Sequence, residues 1–282
     1  EQSPNQQNWQ PYNKVKRPGE VRTIAYQGLA RGGDTCLYFQ MRQSIGGQEK
    51  FHGAFIGHGG DNDTRIFKEL TQLGQEFKDL GYVFLVGRTK SEIGILFDWD
   101  NWWALELTSG PTKDMDYLSQ VSKYYKAFYD QNLPVDILKV TSNLDDYKII
   151  VAPLLYMERE GIAEKIEEFV KNGGTFIATY MTGLVDDNDR CVFGTYPGKY
   201  REVLGIKIDE TDALYPEEGN QIITNKNLFG DERSYKCGFL CDLIRLTTAK
   251  PLATYGEDFY KGLPSITKNE FGKGSAYYIG SE

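Results

Sequence analysis

A chain of 282 residues, 40% hydrophobic and 26% charged, is longer than one average domain needs and has ordinary globular composition, which predicts two packed units. A net charge of -8 and a pI near 5.0 argue against nucleic acid as a partner, because phosphate binding needs clustered Lys and Arg, and the 32 basic residues are scattered among 40 acidic ones. No run approaches the ~18 apolar residues of a membrane helix. The four cysteines, Cys36, Cys191, Cys237 and Cys241, are too sparse for a disulfide framework and point to a reducing, cytoplasmic setting. Cys237 and Cys241 lack the second ligand pair of a zinc site, since His52 and His58 are the only histidines, so no metal is expected.

The chain opens on Glu1 without an initiator Met, in a stretch carrying Pro4, Trp9 and Pro11 that is too irregular for helix or strand, and the first residue reads as a cut. Apolar residues from Pro18 to Leu29 recur at helical spacing and predict a short helix. "TCLYFQMRQ", residues 35–43, reads as a buried strand. A glycine-rich loop with Glu49, His52 and His58 ends at Asp61, Asn62 and Asp63, any of which could cap a helix. That helix carries Ile66, Phe67, Leu70, Leu73, Phe77 and Leu80 on one stripe, with Gly81 as its stop signal. "VGRTKSE", residues 86–92, reads as a linker, so the boundaries expected are 1–87 and 92–282.

Beyond the linker a fuller β/α series begins. "IGILFD" (93–98), "VDIL" (135–138), "YKIIVAPLL" (147–155) and "TFIAT" (175–179) alternate with helical patterns around Tyr117–Phe128 and Ile162–Val170, the latter stopped by Gly173 and Gly174. Such alternation predicts an open parallel sheet with helices on both faces. From about Lys207 the helical period fades, and "FGKGSAYYIG" reads as a terminal hairpin.

The doubly wound pattern invites tests for a cofactor. A dinucleotide site wants G-x-G-x-x-G after the first strand, where "FDWDNWW" stands. A flavodoxin-like phosphate loop could use Thr179, Thr182 and Gly183, although hydroxyl residues at a sheet edge are common without a ligand. Glutamine hydrolysis needs a Cys on a tight turn with a His downstream, and both histidines precede this region. No cofactor is expected, and the second unit reads as a contact module. Trp99, Trp102 and Trp103, in a loop after its first strand, are candidate interface anchors, or else pack on the unit's own helices.

The first unit combines Glu1, Trp9, Glu49 and His52. A carboxylate can attack an anomeric carbon or stabilise its oxocarbenium charge, an indole face packs on a pyranose, and Glu and His hydrogen-bond its hydroxyls. These types suit a sugar site, although Glu49 and His52 in a glycine-rich loop are more often plain surface polar residues.

"EQSPNQQNWQPYNKVKRPGEVR", "YFQMRQSIGGQEKFHGAFIGHGG" and "FDWDNWWALEL" together resemble glycoside hydrolase family 42 β-galactosidases, and the resemblance extends over essentially the whole chain. It implies the last β/α elements of a (β/α)8 TIM barrel followed by a trimerisation domain, flavodoxin-like or class I glutamine amidotransferase-like and without catalytic residues. It implies retaining hydrolysis of terminal β-D-galactosides in carbohydrate metabolism, with Glu1 as nucleophile and Trp9, Phe39, Glu49 and His52 contacting galactose. A homotrimer is implied. Retention needs two carboxyl groups ~5 to 5.5 Å apart, and the family's acid/base glutamate lies upstream of every residue here. Asn269-Glu270 imitates the motif of that glutamate but falls in the terminal hairpin region, so it is not its counterpart. The expectation is a C-terminal portion of the enzyme, inactive alone. Its rivals are a non-catalytic oligomerisation module and a flavodoxin-like small-molecule-binding domain.

Overall fold

The structure, a computed structural model, describes residues 1–87 and 89–282, and all their side chains except those of Phe84, Val86, Asn227 and Phe229. Arg88, in the predicted linker, lies outside the described residues. The chain divides into two compact units, Glu1–Thr89 and Lys90–Glu282.

In the first unit, α1 (Glu20–Ala30) and α2 (Arg65–Val86) pack through Val21, Ala25, Ile66, Leu70 and Leu73. Tyr26 stands edge-on to Phe77, with ring centroids 5.3 Å apart, and its hydroxyl donates to Glu76, which also pairs with Arg22 at 2.8 Å. Three details depart from expectation. The cap of α2 is Thr64, whose hydroxyl accepts from the Phe67 N–H at 3.2 Å, not an acidic residue of 61–63. Gly81 does not end the helix, because a glycine without left-handed backbone costs a helix only about 1 kcal/mol, and the helix runs on to a cap at Gly87. Residues 35–43 form no continuous strand. They make single parallel bridges, Gln2 to Tyr38 and Arg42 to Ile56, since the described residues offer the segment only short stretches of backbone to pair with.

The second unit is built on a nine-stranded sheet. Its elements begin with β1 (Ile93–Phe97), α3 (Trp99–Leu107), α4 (Tyr117–Tyr129), β2 (Asp136–Lys139), β3 (Ile149–Ala152), α5 (Ile162–Lys171) and β4 (Thr175–Thr179). They continue with a short α6 (Arg201–Leu204), β5 (Ile206–Ala213), β6 (Asn220–Thr224), β7 (Arg233–Cys237), β8 (Leu240–Leu246), β9 (Lys250–Tyr255), β10 (Pro264–Phe271) and β11 (Gly274–Ile279). The strand order is β2-β1-β3-β4-β11-β10-β9-β6-β7, while β5 and β8 form a separate antiparallel pair.

Only the half from β2 to β11 is parallel, and the other half is antiparallel. The expected all-parallel sheet is thus a mixed one. Periodicity marks a segment as strand but does not name its partner, and β11, the second arm of the expected hairpin, inserts beside β4. Helices cover both faces of the parallel half, as the alternation of side chains requires. Leu96, Ile150, Ala152, Phe176, Ala178 and Ala276 meet Ile162, Ile166 and Val170 of α5 on one face. Ile95, Val151 and Ile177 meet Ala104, Leu105 and Val121 of α3 and α4 on the other.

Candidate functional site

The opening residues of the first unit are fastened to the stretch that carries Phe39, Glu49 and His52. Gln2 donates its N–H to Leu37 at 2.7 Å and accepts from the Phe39 N–H at 3.0 Å, which sets Glu1 beside the 37–39 backbone. The Gln6 side-chain amide donates to the Phe51 carbonyl at 3.1 Å, and the Asn8 amide donates to Gln48, so Trp9 and Glu49 follow two residues that are bonded to each other. Lys16 Nζ holds the turn by donating to the carbonyls of Ser3 and Asn5, and its burial lowers its pKa against the opposing pull of Glu20.

His52 is 5% exposed and its ring stands edge-on to Phe39, with centroids 5.2 Å apart. Its Nδ1 lies 3.0 Å from the Gly53 carbonyl, which can only accept. Nδ1 therefore carries the proton, and Nε2 is free to accept from a hydroxyl. Gly53 is required by close approach: a Cβ there would come within 2.9 Å of both the Asn5 Cβ and the Gln6 carbonyl oxygen. Trp9, 59% exposed, offers an open indole face, and Glu1 and Glu49 are exposed.

Sequence reading passed over the residues that hold this arrangement, namely Asn5, Gln6, Asn8, Lys16 and Gln43, whose amide donates to the His52 carbonyl at 3.1 Å. For Asn5, Gln6 and Asn8 the signal was present in "SPNQQN", a polar run around a proline whose side chains bond backbone instead of building a helix. Gln6 Oε1, Asn8 Oδ1, Gln40 Nε2 and Tyr38 OH are buried without a partner, and burial pushes the Tyr38 hydroxyl up to about 12.

In the second unit the tryptophans lie on a helix, not in the expected loop. Asp98, whose carboxyl accepts from the Asp100 N–H, caps α3 immediately after β1. Burial raises the Asp98 pKa against the attraction of Arg159, which also pairs with Asp100. Trp102 is packed within its own unit, on Phe97 and Trp99. Trp99 and Trp103 remain 55% and 52% exposed, and Leu107, one turn further along, is 85% exposed. The spacing of four residues puts all three on one stripe that faces solvent.

The carboxyl ends of β1, β3 and β4, where doubly wound sheets bind ligands, are bridged by the chain itself. Asn101, on α3 and fully buried, donates to the Leu154 carbonyl at 2.8 Å and accepts from the Met157 N–H at 2.9 Å. Thr179 accepts from the Leu154 N–H, and the Thr182 hydroxyl donates to the Thr179 carbonyl. Gly183 adopts φ +65°, and a Cβ there would lie 2.9 Å from the Pro197 backbone. The Thr179 and Thr182 hydroxyls and the Gly183 N–H, which donates to Leu155 at 2.8 Å, are thus committed internally.

Comparison with known proteins gives matches along both units. Residues 91–282 match the family described as beta-galactosidase trimerisation domain, and residues 1–80 match the family described as beta-galactosidase. A beta-galactosidase of Planococcus sp. (strain L4) is 50% identical over 100% of this chain and 42% of its own length, and one of Lactobacillus acidophilus is 43% identical over 100% and 41%. The crystal structure of a beta-galactosidase from Bacillus circulans sp. alkalophilus superposes with a TM-score of 0.95 at 47% identity, covering 99% of this chain and 42% of that one. The chain belongs to the glycoside hydrolase family 42 β-galactosidases. Its fold is that of a TIM-barrel end followed by a further α/β domain. It spans about 42% of the length of the Planococcus relative.

Proposed function

We propose that these residues serve a retaining β-galactosidase that hydrolyses terminal β-D-galactosides in carbohydrate metabolism. Residues 1–87 would be the C-terminal part of its catalytic barrel and 92–282 its trimerisation domain. Glu1 is the nucleophile: its carboxylate attacks the anomeric carbon as the aglycone leaves with a proton from an acid/base carboxyl outside these residues, and water then releases galactose from the glycosyl-enzyme. Trp9 stacks on the pyranose, Phe39 holds the His52 ring, and Glu49 and His52 Nε2 accept from sugar hydroxyls. The observation that supports this reading is the pairing of Gln2, the residue after Glu1, with the backbone of Leu37 and Phe39, whose ring packs edge-on to His52. The unpartnered Gln6 Oε1, Asn8 Oδ1 and Gln40 Nε2 suit a hydroxyl-rich ligand.

An assay with a nitrophenyl β-galactoside, paired with the intact mass of the same sample, tests the reading. Full-length enzyme should turn over, and Glu1→Gln should abolish turnover while leaving the folded spectrum unchanged. Unchanged turnover in Glu1→Gln would remove Glu1 from the mechanism. Residues 1–282 alone should give none, because one carboxyl of the pair is missing.

A second reading concerns assembly. The exposed stripe of Trp99, Trp103 and Leu107 suits a homotrimer contact in which Trp102 backs the stripe from within. Cytoplasmic residence is part of the same proposal: all four cysteines are free thiols, and no helix among the described residues is long and apolar enough to cross a membrane.

A further inference from the structure

The stripe of Trp99, Trp103 and Leu107 on α3 has a neighbour in the second unit. Asp98 and Asp100, at the start of α3, share the Arg159 guanidinium with Asp187, which lies 3.9 Å from it. Asp187 belongs to a loop, residues 185–196, that is fastened at both ends: Val185 bridges Met157 and Cys191, and Tyr196 bridges Ile208. The first turn of the loop closes on Asp186. Its N–H donates to the Arg190 carbonyl at 2.8 Å, and its carboxylate accepts from the Asn188 N–H at 2.9 Å and pairs with the Arg190 guanidinium at 2.7 Å. Further on, the Val192 N–H donates to Leu184 at 3.0 Å, and Arg201 donates to the Thr195 hydroxyl at 2.9 Å. Between those two bonds stands Phe193, fully exposed, and more so than any other large apolar side chain among the described residues. A lone exposed phenylalanine is ordinary on a loose loop. Here the backbone on either side is already bonded, so little ordering entropy is left to lose when the ring is covered.

We propose, on the reading that the chain assembles as a homotrimer through α3, that Phe193 is the other half of that contact: the Phe193 loop of one copy seats on the Trp99, Trp103 and Leu107 stripe of the next. A ring of three identical chains is closed by a heterologous contact, in which a patch on each copy meets a different patch on its neighbour. The stripe therefore needs a complement on another part of the chain. Aromatic anchors at the centre of an interface pair with one another across it, and a phenyl ring against two indoles gains edge-to-face contacts beyond the area it buries. Arg159 ties the start of α3 to the Asp187 end of the loop, so both patches lie close together on one chain, as they must to flank a threefold axis. A second copy of this chain accounts for both patches at once, since every contact consumes one of each, whereas a foreign partner on either patch leaves the other bare.

The exposed Cys191, in the same loop as Phe193, is a native handle for the test, and Cys36→Ser removes the half-buried thiol from the readout. Leu107→Cys is added to the full chain in that background, which leaves Phe193 and both tryptophans in place, and a short bis-maleimide is applied. Covalently joined pairs and triplets of chains should appear on a denaturing gel, with peptide mapping placing the link between residues 191 and 107 of different chains. Cys191→Ser should abolish them. In the otherwise unaltered chain, Phe193→Ala should raise the concentration at which the trimer dissociates by at least about tenfold without changing the circular dichroism, and Phe193→Tyr should stay near the parent value. A trimer that forms no such link and is indifferent to Phe193→Ala would overturn the pairing while leaving the trimer itself in place. So would a link from Cys191 only within its own chain, or only to a foreign protein. An unaltered chain that is monomeric in light scattering would overturn the trimer and the pairing together.

Discussion

At the scale of single residues, the candidate sugar site depends on contacts that leave no spare volume. Gly53→Ala would drive a methyl group into Asn5 and Gln6, and a well-packed contact that must yield costs about 1 to 3 kcal/mol. The expected outcome is a lowered urea midpoint for the first unit together with a loss of galactoside turnover in the full-length enzyme. Equal midpoints for variant and parent would show that the 5–6 and 53 backbones separate freely. Asp242 makes a different kind of residue-scale statement. It is fully buried and held by the Thr211 and Tyr278 hydroxyls, each at 2.6 Å, and burial raises its carboxyl to about 6. A raised carboxylate pKa means that the folded chain holds the proton more tightly than the unfolded one. Stability from this group is therefore complete below the unfolded value near 3.8 and is lost as pH rises through about 6, a swing of about 3 kcal/mol. Asp242→Asn should flatten the stability of the second unit between pH 4 and 7, read by chemical denaturation at several pH values. A variant as pH-dependent as the parent would assign the slope to other groups.

At the scale of elements, the helices of the parallel half and its strands were legible because their apolar residues keep one period for many residues. α4 and α5 follow stripes that can be read directly, and β1 and β4 are short runs rich in β-branched and aromatic residues. What escaped were features decided by partners distant in sequence. The 35–43 stretch has strand composition but pairs only through isolated bridges, and "FDWDNWW" became helix because Asp98 supplies a cap that the aromatic run conceals. The sugar-site residues could be recognised by type, yet the contact between Phe39 and His52, 13 positions apart, follows from loop closure and not from a local period. Capping also gives an element-scale prediction. Thr64→Ala removes the acceptor for the Phe67 N–H and should cost α2 about 1 kcal/mol, measurable as a shift in the denaturation midpoint. Thr64→Asn should retain most of that stability.

At the scale of the whole molecule, the stripe on α3 presents large apolar side chains where a solitary unit would place polar ones. On the proposed trimer contact, Trp99→Ala combined with Trp103→Ala should lower the solution mass in light scattering from that of the proposed trimer toward that of a monomer, with little change in the circular dichroism of each chain. A trimer that survives both truncations would move the contact elsewhere.

The bridge over the carboxyl ends of β1, β3 and β4 has a consequence for how the second unit responds to its surroundings. A protein that leaves such a crevice for a small molecule becomes more stable as that molecule accumulates, by RT ln(1 + [L]/Kd). Here the groups at these strand ends are bridged by Asn101, covalently part of the chain and hydrogen-bonded to Leu154 and Met157. It cannot dissociate or be diluted. The melting temperature of this unit should therefore stay constant as nucleotide or flavin concentrations vary, and a rise with either would show that the bridge yields to a ligand.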